Sequence, residues 1–427
     1  MDSFINIFLI MDTLLMASTI WAAIYFKRYK NRIGKIQVGI MDTGKIYILL
    51  PALREQKIVK ETLDHFSKLR ILNCQIVVIT SEKEEHENEV NNTSIKTTGQ
   101  CVEEYIKNSN SKSIIHFHCP YTMGTKSTQL NYAVNKIKRT LSKKEREHSY
   151  LGIYDFDSMP NLEVLGEFQR LVVSQNFPEI IQQVPVNLKN IDAIVWKKNF
   201  LMLLHSLQSN IRAVGIELFS LLLHTIGVPI PLYCMGAGMY IRFDTLIDNG
   251  LFPEPVDDLT LGYRLYLKKK RFTVLPNYNF VDTPETVKAL INQDRLIFTG
   301  VWSGLNELHI ESTLLRKIFM AGTIIHNILL RTILPWIFIG YFLFHLFTHN
   351  INWQCTLIFL YPTLRTIIGA FTVVINDKSK VKLLKKSIFY KSLVCSFLWR
   401  PIRTIGAIKI LPRLILKKQI IYKKTER

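Results

Sequence analysis

Two acidic pairs about a hundred residues apart carry the chemistry this sequence offers. Asp155 and Asp157 stand two apart in Tyr154–Asp155–Phe156–Asp157, directly after an apolar run. At the end of a strand, carboxylates two apart point to one side. Converging so, they can hold Mg2+ or Mn2+, whose remaining positions accept phosphate oxygens and neutralise charge on a departing diphosphate. An isolated Asp-x-Asp is more often a solvated acidic turn, so the case depends on what accompanies it.

Asp257 and Asp258 open what reads as a helix running through Gly262–Leu265. A carboxylate at a helix N-terminus is stabilised in its ionised form. That suits a general base taking a proton from a hydroxyl, although a capping pair is the plainer reading. Gly236–Ala237–Gly238 lies shortly before, and its small residues permit close backbone approach to a ligand or form an ordinary tight turn. Gly124–Thr125–Lys126–Ser127 superficially resembles a phosphate loop. No glycine stands five residues before Gly124, so the spacing fails and nucleotide triphosphate hydrolysis is not supported.

These residues need a scaffold, and the chain between Gly44 and about Gly300 supplies one. Ile46–Leu50, Ile76–Thr80, Ile114–His118 and Leu151–Tyr154 read as short buried strands, and Glu55–Leu69 and Ser127–Arg139 have helical apolar spacing. Ser81–Asn91 is polar and expected to be partly exposed. Strands alternating with helices predict an α/β fold with a mostly parallel sheet. Ligands then bind beyond the carboxyl ends of the strands, where Pro51, Thr80 and Asp155 fall.

The two ends of the chain are apolar. Phe4–Phe26 is long enough to span a bilayer, and the lysines follow it, as expected of a retained anchor with its N-terminus outside. Thr332–Phe347 and Trp353–Ile375 are two further spans, giving three. Ser387–Lys418 carries too many charges for an ordinary span and reads as interfacial helices. The expected organisation is an N-terminal transmembrane anchor over residues 1–30, a cytoplasmic domain over 44–305, and C-terminal transmembrane and interfacial helices over 310–427. Lysine and arginine total 54 against 34 acidic residues, a formal charge of +20. Basic clusters at 27–35, 378–386 and 417–427 border apolar segments, which points to membrane lipids as partners. No nucleic-acid motif accompanies the charge, so nucleic acid is not an expected partner. The six cysteines show no Cys-x-x-Cys pair or histidine at ligand spacing, which favours reduced buried thiols.

Taken in order, Leu50–Pro51–Ala52–Leu53–Arg54–Glu55, Gly124-x-Lys126 with Leu130–Asn131, Asp155-x-Asp157, Gly236-x-Gly238 and Asp257–Asp258–Leu259 resemble glycosyltransferase family 2. The likeness is strongest to its membrane-integrated members, related to cellulose, hyaluronan and poly-N-acetylglucosamine synthases, and runs from Ile46 to about Gly300. It implies a GT-A fold binding a nucleotide-sugar donor, with Pro51 and Glu55 lining the base pocket. Glu82 stands near the acidic position that closes the second strand in the family. Asp155 contacts the donor and shares the metal with Asp157. Asp258, with Asp257 beside it, is the implied catalytic base. Gly236 and Gly238 fall on the acceptor side, and Lys126 and Arg295 add positive charge at the diphosphate. Such enzymes invert the anomeric centre by direct displacement.

One stretch departs from the processive synthases, whose Gln-x-x-Arg-Trp motif reads here Asn292–Gln293–Asp294–Arg295–Leu296. Leucine offers no flat ring on which a sugar or base can stack, so transfer of one or a few sugars is expected over long-chain synthesis. The expectation is an inverting enzyme of polysaccharide biosynthesis, multi-pass in the cell membrane with its catalytic domain cytoplasmic. It moves a sugar from a nucleotide donor, a UDP-sugar, to a glycan or lipid-linked acceptor. A processive synthase, with a partner subunit to complete its channel, and a non-catalytic nucleotide-sugar sensor are the two alternatives.

Overall fold

A computed structural model describes residues 2–37, 44–69, 73–109, 113–254, 256–349, 351–376 and 386–416. Most of the basic cluster at 378–386 and all of that at 417–427 lie outside the described residues. The chain forms two compact units, one of residues 1–28, 186–231 and 280–427, the other of residues 29–185 and 232–279.

A seven-stranded sheet organises the second unit. Its strands are β1 (Ile46–Pro51), β2 (Cys74–Ser81), β3 (Ile114–Cys119), β4 (Tyr150–Ile153), β5 (Ile180–Val186), β6 (Met239–Arg242) and β7 (Phe272–Phe280), in the order β3-β2-β1-β4-β6-β5-β7. β1 lies between β2 and β4, parallel to both, and β3 is parallel to β2. All six residues of β1 are buried, as its unbroken apolar run requires of a strand covered on both faces. β6 runs antiparallel to β4 and β5. Gly152 makes the β4–β6 contact close: a Cβ there would sit 2.8 Å from the Tyr240 ring and 2.7 Å from Ile48.

The helices follow the expected alternation with local differences. The stretch expected to be helical from Glu55 opens as a 3-10 turn, Gln56–Ile58, before the helix Val59–Phe66. Arg54 ahead of it has a left-handed φ of 55°, so the backbone must recover from a sharp turn first. The polar stretch after β2 forms the helix Lys83–Val90, and within it Glu84 is buried.

The other unit is helical. Ile5–Gly34 and Trp353–Ile375 are long and apolar enough to cross a membrane. Leu314–Thr332 and Leu334–Phe347 meet that test only together, bent by 53°, so the described residues offer two spans, or three if the bent pair is one. Ile5, Leu9, Leu334, Phe338, Tyr341, Cys355 and Ile358 form one apolar cluster. Asp12 inside this unit meets Arg365 at 2.9 Å and Arg400 at 2.6 Å. Asp294 lies between Arg331 and Arg403. The helix Lys386–Ile415 approaches the helix Val287–Ser303 so closely at Gly406 that a Cβ there would fall 2.4 Å from the Ile291 carbonyl.

Candidate active site

Parallel pairing puts the carboxyl ends of β1, β2, β3 and β4 at one end of the sheet, where loops can build a site. Tyr154, buried just past β4, donates its hydroxyl to Gln183 at 2.7 Å and lies 2.9 Å from the Tyr240 hydroxyl. The chain then turns, with the Ser158 N–H donating to the Asp155 carbonyl at 2.9 Å. Asp155 and Asp157 are therefore the first and third residues of a β-turn, not alternate residues of a strand. Both are half-buried, while Tyr154, Phe156 and Ser158 are buried. The Thr62 hydroxyl fixes the turn by donating to the Phe156 carbonyl at 2.9 Å.

Lys126 is the first residue of the helix Lys126–Lys138. Side chains on that helix clasp it in place. Gln129 donates to the Ala52 carbonyl just beyond β1 at 3.2 Å, and Ser127 donates to the Pro253 carbonyl at 2.8 Å. Asn131 exchanges two 2.9 Å hydrogen bonds with the Phe252 backbone. Leu130 is buried and Asn131 a structural tie, so this part of the motif positions Lys126. The Lys126 ammonium lies 2.8 Å from Asp155 Oδ1 and 3.5 Å from Asp257 Oδ2.

Asp257 and Asp258 occupy the first turn of the helix Asp257–Leu267, behind an extended Val256. Gly262 lets this helix lie almost against the backbone of Tyr233 and Cys234; a Cβ there would meet Cys234 N at 2.0 Å. Asp258 Oδ2 accepts the Gly236 N–H at 2.7 Å, and Oδ1 accepts the Leu259 N–H at 2.7 Å. Gly236 is held by its neighbour: the fully buried Gln182 donates to the Met235 carbonyl and accepts the Met235 N–H, each at 3.1 Å. A side chain at 236 would begin 2.9 Å from Asp258 Oδ2 and 3.3 Å from the Lys126 ammonium. Only glycine brings the backbone this close.

Electrostatics follow from this crowding. Burial and the neighbouring Asp257 charge push the Asp258 carboxyl up to about 7, against the pull of Lys126 and the two N–H groups. Burial works to lower Lys126, but Asp155, Asp257 and Asp258 outweigh it and hold the ammonium well above its ordinary value. Asp257 is 8% exposed, and its buried Oδ2 accepts no hydrogen bond. The cation facing it is the Lys126 ammonium, at ion-pair rather than hydrogen-bond distance. Asp155, Asp157 and Asp257 are hard oxygen donors of the kind Mg2+ and Mn2+ prefer, while among the described residues three ligand atoms lie within 4.8 Å of one another only at Glu82, Glu85 and His118.

The remaining expected residues are spread more widely. Pro51 closes β1, and the Glu55 N–H donates to Thr98 Oγ1 at 2.8 Å. Glu82 receives His118 Nε2 at 2.8 Å, and the ligating atoms of Glu82, Glu85 and His118 lie within 4.8 Å of one another. Gly238 has φ +80° and abuts Gln183, a backbone requirement of the turn into β6. Arg295 belongs to the helical unit, half-buried on the helix Val287–Ser303. Sequence reading passed over Glu84, which accepts the N–H groups of Arg54 at 2.5 Å and Thr98 at 2.7 Å and so shapes the loop after β1. It also passed over Gln182, whose only signal was a glutamine pair inside an otherwise apolar strand.

No protein-family model and no curated protein matches the chain. Solved structures do. A mannosyltransferase, PcManGT from Pyrobaculum calidifontis, in complex with GDP-Man and Mn2+, aligns with TM-score 0.51 and 12% identity over 94% of this chain and 98% of that one. S. aureus TarS 1-349 with UDP-GlcNAc aligns at 0.41 and 14%, over 90% and 98%. Glucosyl-3-phosphoglycerate synthase from Mycobacterium tuberculosis, with Mn2+, UDP-Glc and phosphoglyceric acid, aligns at 0.38 and 12%, over 63% and 81%. The first likeness shows the fold: this chain has a GT-A-like α/β architecture.

Proposed function

We propose that this chain is an inverting glycosyltransferase that moves a sugar from a nucleotide-activated donor, a UDP-sugar, to a hydroxyl of a glycan or lipid-linked acceptor at a membrane surface. The observation carrying this reading is the convergence of Lys126, Asp155, Asp257 and Asp258 beyond the strand ends. The fold shared with a GDP-Man-bound mannosyltransferase supports it, and the two candidate membrane helices support the location.

Asp258 is the base. Its carboxylate takes the acceptor proton as the acceptor oxygen bonds to the anomeric carbon, while the bond from that carbon to the diphosphate oxygen breaks. The attack comes from the face opposite the leaving group, so configuration inverts. Elevated basicity makes Asp258 effective near neutral pH, where a carboxylate of ordinary value is a poor proton acceptor. Lys126 pairs with charge gathering on the departing diphosphate. Asp155 and Asp157 would hold Mg2+ or Mn2+, which would supply Lewis-acid stabilisation of the same leaving group. The Gly236 N–H keeps the Asp258 carboxylate in one orientation.

The test is nucleotide release by purified, detergent-solubilised protein across a panel of UDP- and GDP-sugars, with acceptor membranes supplied and with or without Mn2+ or Mg2+. Metal-dependent release from one donor, lost in Asp258→Asn, is expected. Release that survives both metal removal and Asp258→Asn would sink the mechanism, and silence across the whole panel would favour a nucleotide-sugar sensor.

A further inference from the structure

We propose that Lys126 is a resident cation that occupies the carboxylate cluster of the donor-free protein, so that the site takes its divalent metal together with a nucleoside diphosphate rather than ahead of it. The inference rests on the glycosyltransferase reading above and deepens it.

Asp155 and Asp257 both face one ammonium, at 2.8 Å and 3.5 Å, and Asp258 is the next residue on the same helix turn. Carboxylates this close repel, and without a counter-charge they take up protons or draw in a cation. Lys126 supplies that charge from within the chain. Its backbone is fixed at the start of a helix clasped by Ser127, Gln129 and Asn131, so the ammonium cannot drift far. Its four-carbon stem still lets the head choose among nearby anions.

A divalent ion arriving alone must take Asp155 from the ammonium and then sit beside a positive charge left only its longer 3.5 Å contact with Asp257. Repulsion opposes that arrangement. A diphosphate reverses the balance, since its oxygens receive the ammonium in charge-assisted hydrogen bonds and fill the remaining metal positions. Asp155 is then released to the metal. The buried Asp257 Oδ2, which accepts no hydrogen bond from Lys126, marks the place where the lysine serves the cluster only in part. Metal and nucleotide therefore strengthen one another's binding, and by linkage each does so by the same factor.

The experiment measures Mn2+ affinity of the purified full chain by electron paramagnetic resonance of free Mn2+, alone and with UDP or GDP. Wild type should bind Mn2+ weakly by itself and about tenfold or more tightly with the nucleotide it accepts. Lys126→Met keeps the apolar stem and removes the charge. It should bind Mn2+ about tenfold more tightly than wild type without nucleotide, and nucleotide should strengthen binding by a smaller factor than in wild type, because only the direct phosphate–metal contacts remain. Lys126→Gln serves the same purpose if the methionine variant does not fold, with an unchanged melting profile as the criterion. Equal Mn2+ affinity in wild type and variant without nucleotide, or equal enhancement by nucleotide in both, overturns the inference while leaving the glycosyltransferase reading intact. Failure of calorimetry to detect either nucleotide on wild type in the presence of Mn2+ overturns both.

Discussion

At the scale of single residues, Asp258 carries the sharpest expectations. As the proposed general base it would be active ionised, so kcat/KM should fall about tenfold per unit of pH below about 7 and level off above it. Asp258→Asn should lower turnover by about 10²- to 10⁴-fold and abolish that acid limb. Stability should move the other way. The folded chain holds a proton on Asp258 between about pH 4 and about pH 7 that the unfolded chain has released, so this group subtracts from stability as pH rises through that window. In metal-free, donor-free protein, Asp258→Asn should therefore melt above wild type at pH 8 and match it near pH 4. A variant that melts lower at pH 8 would show that the ionised carboxylate contributes more through its two N–H partners than burial takes away.

At the scale of elements, the site depends on how closely a helix start can approach a loop. Gly262 decides that for Asp257 and Asp258. A methyl group there meets backbone at 2.0 Å, and backbone yields less readily than a side chain. Gly262→Ala should destabilise the protein by about 1–3 kcal/mol and lower turnover as well, because the helix must withdraw and carry Asp258 away from Gly236. Intact activity in a stably folded Gly262→Ala protein would disprove this dependence. The same scale explains what the sequence reveals and hides. β1 to β4 are apolar runs followed by helical spacing, and reading them places Pro51 and Asp155 at strand ends. β5 and β7 contain Gln182, Gln183, Asn277 and Asn279, polar residues that mask a strand until their partners across the sheet are known. Gln182 clamps Met235 from far along the chain, and Lys126 meets Asp155 only because β1 and β4 are neighbours. Contacts of that kind leave no trace in local spacing. The position of the Asp-x-Asp pair just past a strand end was legible, whereas its geometry as a turn was not.

At the scale of the whole molecule, a net charge of +20 coexists with apolar helices, so the acidic residues within the helical unit have disproportionate effect. Asp294 occupies the position inside the stretch that departs from the synthase motif. Its side chain is 1% exposed and paired with Arg331 and Arg403, and Gly406 lets the arginine-bearing helix close onto it. The tie therefore joins the helices Val287–Ser303, Leu314–Thr332 and Lys386–Ile415. Asp294→Asn removes the single anion and leaves two guanidinium groups in an interior that cannot hydrate them. Loss of one partner from a buried ion pair costs about 3–5 kcal/mol, which corresponds to a fall in melting temperature of about 10 °C for a unit of this size. Changing all three residues together, Asp294→Leu with Arg331→Met and Arg403→Met, removes the stranded charges and should recover most of that loss, because apolar packing of similar volume can replace a buried ion pair. Melting curves in detergent separate the cases. Recovery in the triple variant identifies the network as a charge-balanced tie between helices, whereas a triple variant as unstable as Asp294→Asn would mean that the helices need these hydrogen bonds for their geometry and not only for neutrality.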